Sequence, residues 1–196
     1  MLMIGQLILA ASAVCASVNE ADVVVYGATS AGVSAALQAK RMGVNAVVLE
    51  PTGRIGGLTT GGLGQTDIGT KESFGGIARE FYAAVRKWYD DPAHWTRQTF
   101  ADYSPDGQCS GTKRADTMWT FEPSAALGIL EGWERQYGLR IVRHVRLDRG
   151  KGGVTVENGR IAAIRTEDGR TWKGKVFIDA TYEGDLMAAA GVSYAV

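Results

Sequence analysis

The chain has 196 residues, 45% hydrophobic and 21% charged, and its 21 basic and 21 acidic side chains cancel. That length suits one globular domain or a piece of a larger protein. A balanced charge gives no electrostatic footprint for a phosphate backbone or an anionic lipid surface, so nucleic acid is set aside and a small-molecule partner is expected. Glycine is the one compositional excess, 26 residues of which nine fall between positions 53 and 76, against an ordinary usage of roughly 7%. Two cysteines, Cys15 and Cys109, are too few for a disulfide framework or a zinc site.

The first nineteen residues carry no charge, and Leu7 to Val14 form a short apolar core that ends in Val14-Cys15-Ala16. This is the pattern of an export signal cut after Ala16, although Lys and Arg are missing from its start. A start codon ahead of Asp22 is the rival reading. Glu20 and Asp22 close the stretch before it reaches the about 20 apolar residues of a membrane span. The expected protein is therefore exported, periplasmic or extracellular, with no stable membrane span once residues 1–16 are removed.

From Asp22 to Tyr26 a continuous apolar run reads as a parallel strand buried on both faces. Gly27 ends it, residues 31–42 present Val33, Ala36, Leu37 and Ala39 on one helical face, and Gly43 suits a left-handed C-terminal cap. A second strand spans Ala46 to Glu50. Strand, glycine turn, helix and strand make a βαβ unit with a right-handed crossover. After the glycine-rich loop, Ile77, Phe81, Val85 and Trp88 recur at helical spacing. Residues 89–121 have no period and contain Pro92 and Pro105, which marks a lid or a flexible excursion. Glu122-Pro123 opens a helix that Gly138 closes, and Leu139 to Val145 is a third strand. Asn158-Gly159 and Asp168-Gly169 predict two type I′ hairpins, hence three short antiparallel strands in a meander. Lys175 to Asp179 is a further apolar strand, followed by the start of an alanine-rich helix.

Gly27-Ala28-Thr29-Ser30-Ala31-Gly32 occupies the strand-to-helix turn where dinucleotide folds carry G-x-G-x-x-G. There the glycines permit a tight turn, a close approach of backbone to a pyrophosphate, and packing of helix on strand. Thr29 breaks the middle position, where a side chain holds a phosphate farther off unless its hydroxyl supplies a hydrogen bond. The helix N-terminus adds unpaired N–H groups and a positive dipole end. Glu50 ends the second strand, placed to accept both hydroxyls of an adenosine ribose and to repel a 2′-phosphate.

These segments, with Gly56-Gly57, Gly61-Gly62-Leu63-Gly64, the run from Gly75 to Tyr82, Phe121-Glu122-Pro123 and the run from Asp179 to Asp185, resemble the N-terminal part of a bacterial FAD-dependent oxidoreductase of the glutathione-reductase-like superfamily. The resemblance extends to a branch whose members are often exported and sometimes carry polysaccharide-related names. It implies FAD as cofactor and an α/β, Rossmann-like parallel sheet over residues 22–196 with an antiparallel β-meander as crossover. By the same resemblance Gly27, Thr29, Ser30, Ala31 and Gly32 would wrap the FAD pyrophosphate and Glu50 the ribose. Arg54, Gly56 and Gly57 would line the diphosphate and ribityl path, and Val145 would meet adenine through its backbone. Ala180 and Thr181 match the alanine-threonine part of the second motif. Tyr182 stands where the superfamily usually has glycine.

The implied function is electron or hydride transfer through bound flavin to or from a small-molecule substrate. Relatives continue past the second motif into a substrate domain, so the chain is expected to be a truncated FAD domain with no catalytic residue of its own. The alternatives are a dinucleotide-binding fragment without turnover and a polysaccharide-acting, lyase-like protein. His94 and His144 lack metal-ligand spacing and read as a solvated loop residue and a strand-end residue, Cys109 as a bystander, and Arg140, Arg143, Arg146 and Arg149 as a solvated edge. Asp90-Asp91 reads as a helix end, not an acid and base pair.

Overall fold

A computed structural model describes residues 18–104 and 116–195. The expected export signal, Cys15 and Cys109 lie outside the described residues. Six strands form one sheet in the order β3-β2-β1-β6-β5-β4. The parallel part is β1 (Val18–Tyr26), β2 (Ala46–Glu50), β3 (Arg140–Arg143) and β6 (Thr171–Asp179), with β1 between β2 and β6. The meander strands β4 (Val154–Glu157) and β5 (Arg160–Arg165) continue the sheet antiparallel beyond β6.

The helices are α1 (Ser30–Arg41), the single turn α2 (Leu58–Gly61), α3 (Gly76–Trp88), α4 (Pro123–Tyr137) and the short α5 (Asp185–Ala189). Alternation along β1 sends Val25 to one face, where α1, α3 and α4 cover it with Val33, Leu37, Phe81, Val85, Ala126 and Leu130. Val24 and Tyr26 point to the other face and meet Val145, Leu147, Ile164, Trp172 and Leu186. Fully burying one such aliphatic side chain stabilises the fold by about 1.5–3 kcal/mol, so both faces anchor β1, and the turn that follows it inherits a rigid base.

Three local expectations change. The third meander strand and the strand from Lys175 are one strand, β6. Its first residues pair antiparallel with β5, while its whole length pairs parallel with β1, from Val18↔Thr171 to Tyr26↔Asp179. The Asp168-Gly169 turn is not type I′. Only Gly169 has a positive φ, of 83°, whereas at the first turn both Asn158 (50°) and Gly159 (74°) do. Asp168 keeps ordinary backbone because its carboxylate accepts from the Thr166 hydroxyl and from the Arg170 N–H, bracing a wider turn. The third strand stops at Arg143 because His144 turns the chain with φ 59°.

The 89–121 excursion is packed where it is described. His94 stacks on Trp88 with ring centroids 4.1 Å apart, and Trp95 donates its indole N–H to Tyr89 O at 2.9 Å. Asp91 caps the 3-10 turn Pro92–His94, and Arg86 pairs with Asp90 at 2.9 Å. The Tyr89 phenol bonds Glu122, and burial pushes its pKa up. Among the described residues no helix is long and apolar enough to cross a membrane.

Candidate functional site

The site lies where β1, β2 and β6 end together. Gly27 takes a φ of 95°, and a Cβ there would lie 3.0 Å from the Ala180 carbonyl. A Cβ on Gly32 would lie 1.9 Å from Gly27 O. These two glycines let α1 start directly against the sheet. Its first N–H groups, those of Ser30 and Ala31, have no carbonyl one turn earlier to bond, and Ala31 is exposed. The helix therefore offers an open, positively polarised end.

Thr29 is the N-cap of α1. Its hydroxyl donates to Ala180 O at 2.7 Å and accepts from Gly32 N–H at 3.4 Å, so it ties the turn to β6. The hydroxyl is committed inside the protein, and what stands at the middle glycine position is a brace between elements.

Glu50 is 6% exposed. One carboxylate oxygen accepts from Ala28 N–H at 2.7 Å, and the other from the Thr52 N–H and hydroxyl, both at 2.7 Å. A carboxylate has about four acceptor positions, so the three bonds orient it and leave capacity for a ligand hydroxyl. Thr52, which the sequence reading passed over, fixes this rotamer; a threonine two residues after a strand-end glutamate is the signal that could have found it. Val145 is buried and donates its N–H to Glu50 O at 2.9 Å, and among the described residues no bond reaches its carbonyl. The preceding His144 lays its ring against Gly53.

The opposite wall is the turn before α2. Gly56 donates its N–H to Ala28 O at 2.7 Å, and the Ser30 hydroxyl reaches Gly56 O at 3.1 Å and the Thr59 hydroxyl at 2.7 Å. Gly56 and Gly57 have φ of 91° and 53°. The Arg54 guanidinium donates through Nε to Thr60 O at 3.0 Å and sits at the exposed rim, bringing a positive charge to this wall. The second motif closes the arrangement. Asp179 accepts from the Thr181 N–H and hydroxyl with one oxygen and from Met187 N–H with the other, and the Thr181 hydroxyl accepts from Gly184 N–H. Tyr182 extends from this loop and accepts from Leu58 N–H at 2.8 Å. Tyr26 sits beneath with its phenol accepting from Leu147 N–H at 3.0 Å, and burial raises its pKa.

Ten of the twelve residues singled out from sequence converge on this junction. Val145 lies at its β3 side, and Arg54 stands at its rim. These groups fit an adenine dinucleotide: an open helix end and a cation for a diphosphate, an oriented carboxylate with one acceptor position left for a ribose hydroxyl, and a backbone carbonyl for an adenine edge.

The family described as FAD dependent oxidoreductase matches residues 22–196. No curated protein matches the chain. Among solved structures, the chain is similar to a flavin-dependent brominase (TM-score 0.55, 15% identity, 89% of this chain and 41% of that one). It is similar also to L-proline dehydrogenase from P. horikoshii (TM-score 0.52, 14% identity, 91% and 57%). A flavin-containing monooxygenase from Stenotrophomonas maltophilia gives a TM-score of 0.49 at 21% identity over 83% and 38%. The chain thus spans less than two thirds of each of these proteins, and with the brominase and the dehydrogenase, at such identities, the likeness is one of fold. The family match gives the polysaccharide-acting alternative no support. With its site geometry and a match from residue 22 to residue 196, the chain belongs to the FAD dependent oxidoreductase family, and its cofactor is FAD.

Proposed function

We propose that this chain grips FAD for an oxidoreductase that moves electrons or hydride between flavin and a small organic substrate. The observation that carries the reading is the oriented, buried Glu50 carboxylate at the end of β2, bonded to the Gly27–Gly32 turn from which α1 opens. Bound flavin supplies the redox chemistry, as a cofactor does in any such enzyme. The chain's own residues bind and orient. Ser30 and Ala31 N–H with Arg54 would hold the diphosphate, Glu50 the ribose, Val145 O the adenine, and Gly56, Gly57 and Thr181 the path toward the ring. No proton-transfer role is assigned to any described residue.

Titration of the purified protein with FAD, read by quenching of flavin fluorescence, tests this. Saturable binding is expected, and no binding at micromolar FAD overturns the proposal.

We further propose export, supported by the uncharged apolar start of the sequence. Cleavage after Ala16 would spare β1, which begins at Val18. The intact mass of the secreted form should correspond to a chain beginning at Ser17, and a cytoplasmic product retaining Met1 overturns this.

A further inference from the structure

Thr29 and Tyr182 are the two departures from the glycine pattern, and the Thr29 hydroxyl bonds the loop that carries Tyr182 through Ala180 O. The Thr29 hydroxyl is spent on Ala180 O and Gly32 N–H, so it offers nothing to a phosphate. Tyr182 is arranged otherwise. Its ring lies on Gly57, close enough that a Cβ there would be 2.3 Å from the phenol oxygen. That oxygen accepts the Leu58 N–H at 2.8 Å. A phenol both accepts and donates, and the Tyr182 proton has no acceptor among the described residues. The side chain is 58% exposed, so nothing in the core requires it. A tyrosine fixed by its oxygen, with its proton unused, stands against the Gly56-Gly57 turn that the Ser30 hydroxyl at the start of α1 also bonds, and so offers a donor beside the open helix end.

We propose that Tyr182 is a diphosphate ligand, donating its phenol proton to a phosphate oxygen while Leu58 N–H holds the phenol in place. The inference rests on the FAD reading and deepens it. Accepting one hydrogen bond polarises the phenol and strengthens the bond it donates, and donation to an anionic oxygen is of the stronger, charge-assisted kind. The side chain thus provides from the β6 side the contact that Thr29 does not provide from the α1 side.

The test is Tyr182→Phe in the 196-residue chain, with FAD followed by fluorescence and ADP and adenosine by calorimetry. FAD and ADP should weaken about tenfold or more, the effect of losing one hydrogen bond to a charged group. Adenosine, which lacks the diphosphate, should bind unchanged, and the melting temperature should stay within a degree or so because the lost group is at the surface. Equal weakening of ADP and adenosine, with or without a change in melting temperature, would make Tyr182 a structural wall and overturn the proposal. So would unchanged FAD and ADP affinity. Failure of the unsubstituted chain to bind FAD would instead remove the reading beneath it, so the two failures are distinguishable.

Discussion

Replacing Glu50 with alanine should destabilise the protein before any cofactor is added. The carboxylate pairs the N–H groups of Ala28 and Thr52, but the two losses are unequal. Thr52 is exposed, so water can take the vacated place. Ala28 is 0% exposed, and an unmet buried N–H costs about 1–3 kcal/mol. Taking about 2 kcal/mol as the loss, and a shift of about 2–4 °C per kcal/mol for a domain of this size, the apo melting temperature should fall by about 4–8 °C. Glu50→Gln keeps an amide oxygen for Ala28 N–H while its NH2 faces the Thr52 N–H, so about half that drop is expected. With saturating FAD the alanine variant should lose a further about 1.4 kcal/mol of ligand stabilisation if affinity falls tenfold. Thermal melts of the three proteins with and without FAD measure both effects. An apo alanine variant that melts with the parent would refute the bracing role and leave Glu50 only a ribose ligand.

Thr29→Ala should cost about 2 kcal/mol in urea unfolding, from a lost N-cap and a lost buried bond, with Thr29→Ser recovering most of it and FAD affinity unchanged in both. Gly32→Ala places a Cβ 1.9 Å from backbone Gly27 O; overpacking against a carbonyl that cannot move should destabilise by about 3 kcal/mol or more, visible as a lower urea midpoint. The Arg170 guanidinium beside Asp168, with the Thr166 hydroxyl, holds its pKa at about 2 against an ordinary 3.8. The carboxylate is thus more acidic folded than unfolded, and its contribution, present above pH 4, is lost as pH falls through about 2. Since the pair is partly exposed the contribution is at most about 1 kcal/mol. Asp168→Asn should therefore be slightly less stable at pH 7, with the difference from the parent shrinking as pH falls toward 2, read by chemical denaturation at each pH.

The βαβ start was legible because its signals agree: an apolar run, a glycine turn, a 3.6-residue apolar period and Glu50 at a strand end. The helix at Pro123–Tyr137 was legible from its proline start and from Gly138, which adopts the left-handed cap at φ 60°. The unity of β6 was hidden by Lys173-Gly174-Lys175, which reads as a break. In the fold Gly174 is there because a Cβ would lie 2.9 Å from Val24 Cγ2, so the glycine admits β1 at close range instead of ending the strand. Asn19-Glu20-Ala21 before Asp22 break the apolar run and concealed the first half of β1, since their order comes from pairing with residues far along the chain. The locations of the site residues were legible from motif spacing. Their hydrogen bonds were not, because the hydroxyls of Thr29, Thr52 and Tyr182 can each turn several ways until tertiary neighbours choose one.

The pairing of β1 with β6 also sets an order of events during synthesis. β1 is among the first segments made, yet its parallel partner arrives near the end, and the bond from Thr29 to Ala180 joins residues 151 positions apart. Loops of that length close late, and folds dominated by such distant pairings form slowly. Until β6 emerges, the β1–β2 hairpin-free pair and α1 can assemble on one side only, leaving the Val18–Tyr26 backbone edge open to other chains. The nucleotide turn is therefore completed last, and a nascent chain stalled before Thr171 should be captured by chaperones and should carry no flavin.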